Sequence, residues 1–307
     1  MKLKVCIASS SLVSQAAIEA FNESSEVDLV CIISNPDKPT GRGQAFTANP
    51  LAQWASSSGL TVHKPQTDEE IAKILIENSI DLLITIAYGH ILSASVLKVP
   101  SYGCLNLHFS LLPKYRGAAP VQWALLNGDI KTGVTVFKLE AGMDTGPIFV
   151  QKEFPISEHD TTQLLLDKLT PIGVESLQES VAMLRNGQKP EPQNSASASQ
   201  APKIIKDAGR INWQMPATTI YNQYRAIGEN PGLFTELSGN RIRINEIAIN
   251  KDQRYPVGGV NLMGNKLVVG TSDFAIEIKS LTPQGRKLMS GIDFYNGLRD
   301  KSGLKFA

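Results

Sequence analysis

Apolar positions in the first part of the chain fall into short unbroken blocks, separated by stretches where they recur every three or four residues. Residues 3–8, 27–33 and 81–87 are strand-length blocks, and 81–87 is almost continuously apolar, as expected of a central parallel strand covered on both faces. Residues 12–21 and 68–78 carry helical periodicity, and Ser9, Ser10 and Ser11 offer an N-cap to the first of them. Strand, helix and strand at this spacing predict parallel pairing through right-handed crossovers. Further along, 51–58 reads as helix, 61–63 as a short strand and 120–126 as a helix with Pro120 in its first turn. Residues 132–139 and 148–155 read as strands, and 161–185 as a long helix interrupted near Pro171 and Gly173. The pattern predicts an α/β domain with a Rossmann-like, mostly parallel sheet. The first turn lacks GxGxxG, so a dinucleotide is not indicated.

Past residue 185 the periodicity stops. Residues 186–202 are polar, proline-containing and of linker composition. Beyond them, 217–227 reads as helix, and 233–237, 241–249, 258–263, 266–270 and 275–281 are short strand patterns between Gly/Asn turns. Several short strands after one helix predict a small OB-like β-barrel, a class that often presents nucleic-acid surfaces. The expected division is a domain at 1–187, a linker at 188–203 and a second domain at 204–307.

Charge sharpens this division. The 307 residues carry a net charge of only +1, with 42% apolar and 19% charged residues. From Ala201 onward, however, 15 Lys/Arg stand against 9 Asp/Glu, a net of +6, whereas the preceding part has 15 against 20, a net of −5. The asymmetry hints at an anionic partner for the C-terminal part, although a few exposed lysines give the same count. Cys6, Cys31 and Cys104 each sit in an apolar run without disulfide or zinc spacing, as buried thiols in a reducing cytoplasm would. No run approaches a membrane span, and the first residues lack a signal-peptide pattern.

Candidate chemistry gathers where strands end. Asn106 and His108 are two apart, so at a strand end both side chains leave the same face, just before a Pro/Gly loop. Such a pair alone is more often a polar strand terminus. Asp144 lies between Gly142 and Gly146 at another strand end, and Gly89 follows the 81–87 strand, where it lets a flat ligand approach the backbone. The long segment 34–50 carries Arg42 between two glycines; its guanidinium can reach a phosphate, though a solvated arginine is the commoner case. His63, without an acidic partner in the sequence, reads as structural.

The run Asn106-Leu107-His108-Phe109-Ser110-Leu111-Leu112-Pro113, with Arg116-Gly117-Ala118-Ala119-Pro120 and later Asp144-Thr145-Gly146, resembles the signature of the formyltetrahydrofolate-dependent formyltransferases. Almost end to end, the chain resembles the branch of that family whose acceptor is methionyl initiator tRNA. The pieces are Asn35 through Gly43, Ala87-Tyr88-Gly89, Gly133-Val134-Thr135-Val136, Gly209 through Trp213, Tyr224-Arg225-Ala226 and Pro283 through Lys287. It departs from the family at Ser9-Ser10-Ser11, at Phe109 where glycine is usual, and at Gly228 through Gly232.

The resemblance implies formyl transfer from 10-formyltetrahydrofolate, a co-substrate, with no metal. Asn106, His108 and Asp144 would be catalytic. Folate would lie against Ile86, Ala87, Tyr88, Gly89, Ser110, Leu111, Leu112, Pro113 and Gly142. The tRNA would meet Arg42 and Lys38, then Lys203, Lys206, Arg210, Arg241, Arg243, Arg286 and Lys287 of the barrel. A cytoplasmic monomer is expected. Formyl transfer to an amine develops a tetrahedral oxyanion, which needs donors already in place. Asn106 and His108 offer N–H groups, and Asp144 can orient the imidazole and assist the proton. Family members that formylate glycinamide ribonucleotide or an amino-sugar nucleotide share the three residues, and a non-catalytic RNA-binding protein is the alternative from another class.

Overall fold

The computed structural model describes residues 2–40 and 45–307; Arg42 lies outside them. The chain forms two compact units: Met1–Pro120, Lys131–Ile156 and Leu164–Pro202 make the first, and Val121–Ile130, Ser157–Gln163 and Lys203–Ala307 the second. In chain order the elements are β1 (Leu3–Ser9), α1 (Gln15–Asn22), β2 (Val27–Ile33), β3 (Lys38–Thr40), β4 (Ala45–Thr47), α2 (Pro50–Ser57), β5 (Val62–His63) and α3 (Asp68–Glu77). Then come β6 (Leu82–Ile86), α4 (Ala94–Leu97), β7 (Cys104–His108), α5 (Pro120–Leu126), β8 (Lys131–Lys138), β9 (Ile148–Pro155) and α6 (Thr162–Arg185).

The sheet of the first unit has the order β5-β2-β1-β6-β7-β8-β9. Its first five strands are parallel, β8 runs antiparallel to β7, and β9 runs antiparallel to β8. The chain moves outward from β1 through β2 to β5, then comes back to β6 and β7 on the other side. Strand order therefore reverses between β1 and β6, where open α/β sheets receive ligands at their carboxyl ends. Every residue of β6 is buried, as its apolar run predicts. One core cluster joins Cys6, Ala8, Cys31, Ile33 and Leu83 of the sheet to Ile71, Leu75 and Val96 of α3 and α4. The three cysteines are buried free thiols in this core.

Several elements differ from their sequence reading. The 34–50 stretch is not plain loop, because β3 and β4 pair as a small antiparallel ribbon. The helix α6 is not interrupted at Pro171 but runs through it. Proline removes one backbone donor, yet Leu165, Leu169, Leu177 and Val181 stay buried along the same helix, and that packing outweighs the local defect. Gly173 has a packing role: a Cβ there would meet Leu107 Cδ2 at 2.7 Å, so its absence lets α6 lie close behind β7.

The second unit continues with α7 (Ala217–Ile227), β10 (Leu233–Leu237), β11 (Asn240–Asn250), β12 (Val260–Met263), β13 (Lys266–Gly270), β14 (Ala275–Pro283), β15 (Met289–Ser290) and α8 (Gly291–Asn296). Its antiparallel sheet has the order β10-β11-β14-β13-β12, with β15 on β14. Register irregularities bend the long β11 against β14. The chain end ties the two edges together: Val260 N–H donates to Leu304 O, Phe306 N–H to Gly258 O and Ala307 N–H to Glu236 O. That closure is the OB-like barrel the strand pattern predicts. The excursion at 157–163 is anchored by Arg225, whose guanidinium donates to the Ser157 carbonyl at 3.0 Å, and by Thr162 Oγ1, which donates to Ala226 O at 2.7 Å. The expected break at 188–203 thus describes only the last crossing between units. Among the described residues, no helix is long and apolar enough to cross a membrane, and no His/Cys/Asp/Glu group is placed to hold a metal.

Candidate active site

β6 and β7 run side by side in register, Thr85 opposite Asn106 and Ile86 opposite Leu107. Thr85 Oγ1–H donates to Asn106 Oδ1 at 2.6 Å. This bond fixes the amide so that its NH2, the donor side, faces away from Thr85. Asn106 and His108 alternate on one face of β7, as their spacing predicts.

His108 is 6% exposed and fixed through Nε2. Nε2 lies 2.8 Å from the Tyr115 carbonyl oxygen. A carbonyl only accepts, so Nε2 carries the hydrogen and Nδ1 is the basic nitrogen of the neutral ring. Nδ1 sits 3.8 Å from Asp144 Oδ2. The Tyr115 carbonyl, rather than Asp144, therefore sets the tautomer. Burial pushes the imidazole below the usual histidine range, while the Asp144 charge and the Tyr115 bond pull it upward. The ring is accordingly neutral near pH 7, with a carboxylate poised to stabilise it once it gains a proton.

Asp144 stands on left-handed backbone, φ +52°, a conformation unusual for a non-glycine residue. Gly117 N–H donates to its Oδ2 at 2.7 Å. Gly146 is required by a close approach, since a Cβ there would overlap the Lys138 carbonyl. The loop after β7 is held in turn by the segment that reads as linker. Residues 199–201 lie alongside 115–117: Arg116 N–H donates to Ser199 O, Ala201 N–H to Arg116 O, and Tyr115 N–H to Ser199 Oγ. The guanidinium of Arg116, 7% exposed, reaches Gln193 and Ser195.

The structure brings Asn106, His108 and Asp144 to one strand-end locus. Beside it, Ile86 and Tyr88 are buried, Ala87 and Gly89 are exposed, and a Cβ on Gly89 would meet open space. Asn35 Nδ2 donates to Tyr88 O at 3.0 Å and steadies this turn. Ser110 is buried, its Oγ donating to Lys114 O, and Leu112 is buried with its carbonyl bonded to Gln151; Leu111 and Pro113 are half-buried, and Gly142 is exposed. Phe109 is buried as well. Thr85, Tyr115, Gly117 and Gln193 were not legible as site residues; Tyr115 and Gly117 lie within the motif, whereas Gln193 lies in polar sequence that carries no pattern.

In the second unit, Arg210 and Arg241 lie over the Phe234 ring, 5.2 and 3.5 Å from its centroid. Arg243 pairs across from Phe234, and Gln284 N–H donates to the Arg241 carbonyl, bringing the turn of Arg286 and Lys287 beside them. Arg210 also pairs with Glu236 at 2.6 Å. Lys203 and Lys206 are exposed in the segment leading to Arg210, and Lys38 is exposed on β3.

These features are those of a formyl-transferring enzyme. The formyl transferase family model matches residues 1–181, and the model of the formyl transferase C-terminal domain matches residues 203–299. The chain belongs to the formyl transferase family. Within it, the chain is 37% identical over 279 residues to the methionyl-tRNA formyltransferase of Thermodesulfovibrio yellowstonii, covering 90% of each chain. It is 34% identical over 306 residues to that of an Arthrobacter species, covering 99% of this chain and 100% of that one. Among solved structures, HypX from Aquifex aeolicus in complex with tetrahydrofolic acid superposes with a TM-score of 0.70 at 17% identity, over 99% of this chain and 51% of that one. The chain thus spans about half the length of HypX. The N-formyltransferase of Helicobacter canadensis, solved with folinic acid and dTDP-3-aminofucose, gives 0.66 at 22% identity over 90% and 98% of the two chains. At such identities these likenesses speak to the fold.

Proposed function

We propose that this chain transfers the formyl group of 10-formyltetrahydrofolate to the α-amino group of methionyl initiator tRNA, in the cytoplasm and as a single chain. The observation that carries the chemistry is the neutral His108, pinned through Nε2 with Nδ1 toward Asp144, on the strand face it shares with Asn106. The amine attacks the formyl carbon and a C–N bond forms. The carbonyl oxygen becomes an oxyanion that accepts from the Asn106 NH2. Nδ1 takes the proton the amine loses, directly or through water, and Asp144 stabilises the resulting imidazolium. The imidazolium N–H then serves as the second donor to the oxyanion, collapse breaks the bond to the folate nitrogen, and Nδ1 passes its proton to that leaving nitrogen, directly or through water, which restores the neutral ring. An aminoacyl α-amine, with a pKa of about 8 or below, is already in part the neutral nucleophile near pH 7.

The folate lies against Ile86 to Gly89 and the loop carrying Gly142 and Asp144; Ser110 to Pro113 shape its wall. Residues 1–187 form the catalytic domain. Residues 204–307 bind tRNA phosphates through Arg210, Arg241, Arg243, Arg286 and Lys287, with Lys203 and Lys206 nearby. Arg42 and Lys38 approach the acceptor end. No metal takes part. The support for this acceptor is the curated relatives' shared name and the basic C-terminal part. Single-turnover formylation of methionyl initiator tRNA tests the reading. Asn106→Ala and His108→Ala are expected to bind the tRNA and fail in the chemical step. Equal loss of binding and chemistry, or no product from the unaltered chain, contradicts it.

A further inference from the structure

We infer that Gln193 is a positioning residue for Asp144 in the formyl transfer proposed above. The side-chain amide is fully engaged. Its Oε1 accepts from Arg116 Nε at 3.2 Å and Nη2 at 2.7 Å. Its Nε2 donates to the carbonyls of Asp144 at 2.9 Å and Gly146 at 2.8 Å. An amide offers two acceptor and two donor positions, and here all are used.

The two groups it joins are the two supports of the Asp144 carboxylate. One is the Asp144 backbone, held left-handed at φ +52°. The other is the Arg116-Gly117 turn, whose Gly117 N–H donates to Oδ2. Such backbone persists only where the surroundings over-determine it. Without the clamp, both supports loosen and the 3.8 Å separation from His108 Nδ1 is no longer fixed. Glutamate has the length but no donors for the two carbonyls, and asparagine is a methylene short. Gln193 touches no reacting atom, so its action runs through Asp144.

The test uses the full chain with Gln193→Met and Gln193→Glu, and Asn194→Ala as control. Asn194 caps the neighbouring 3-10 turn and lies outside the clamp. The expected result is a kcat loss of about 10- to 100-fold in both Gln193 variants, as follows from misplacing a catalytic group by a fraction of an ångström, with KM for folate and tRNA changed less than threefold. An NMR titration should show the His108 imidazole of Gln193→Met titrating lower than in the unaltered chain, in the direction given by Asp144→Asn. Asn194→Ala should match the unaltered chain in both. An unchanged kcat, a loss confined to KM, or a His108 titration that does not move overturns the proposal. If Gln193→Met does not fold, the glutamate variant decides by kcat against KM, since its own charge acts on the imidazole. If Gln193→Glu does not fold either, Gln193→Asn decides by the same readouts. The titration needs no acceptor, so an inactive unaltered chain overturns the acceptor reading and leaves this test standing.

Discussion

His108 brings two opposing electrostatic effects to one ring. Burial favours the neutral form, and Asp144 favours the charged one. The titration of this imidazole, followed by NMR, is expected below the free histidine value of about 6.5, and Asp144→Asn should lower it further. The stability sign follows. The unfolded ring binds its proton near pH 6.5 and the folded ring only lower, so between those values the unfolded state holds more protons. The contribution is complete above about 6.5 and is lost as pH falls toward the depressed value; a denaturation midpoint that rises on acidification across that window would contradict the burial argument. On the proposed mechanism, Asn106→Ala removes a donor to the developing charge. A loss of about 100- to 1,000-fold in kcat is expected, measured by single turnover at saturating folate. The candidates Asn106, His108 and Asp144 stand out in the sequence because their spacing and flanking glycines are local features. Tyr115 was not, because its carbonyl acts through backbone, which any residue type carries.

At the scale of elements, the site depends on close approaches that only glycine permits. Gly146→Ala would drive a methyl into the Lys138 carbonyl at the end of β8, where no flexible side chain can yield. The expected cost is about 1–3 kcal/mol in a denaturant titration, with loss of activity as Asp144 shifts. A stable, fully active variant would show that the loop does not depend on this approach. The strand and helix pattern was read correctly wherever apolar period and length agreed, as in β6 and α3. It failed where tertiary packing overrode local preference, as at Pro171 inside α6. The 188–203 stretch reads as linker because its side-chain contacts include hydrogen bonds accepted by Gln193, Ser195 and Ser199, and polar residues leave no hydrophobic period.

The whole molecule joins a near-neutral sum to an uneven distribution, with the excess of positive charge after Ala201. The barrel itself was legible from its short strands, but its closure by the last four residues was not, because that segment is too short to carry a period. If the basic residues around Phe234 bind phosphates, kcat/KM for tRNA should fall steeply with salt while folate affinity does not. Arg241→Ala and Arg243→Ala should each reduce the magnitude of the logarithmic slope by about one; an unchanged slope would remove them from the interface. The central claim concerns which amine the site formylates. It is tested most directly by measuring kcat/KM for formyl transfer from 10-formyltetrahydrofolate to methionyl initiator tRNA, glycinamide ribonucleotide and an amino-sugar nucleotide in parallel. The account predicts rapid transfer to the tRNA and little to either small acceptor. Preferred transfer to a small acceptor, or none to the tRNA, would contradict it.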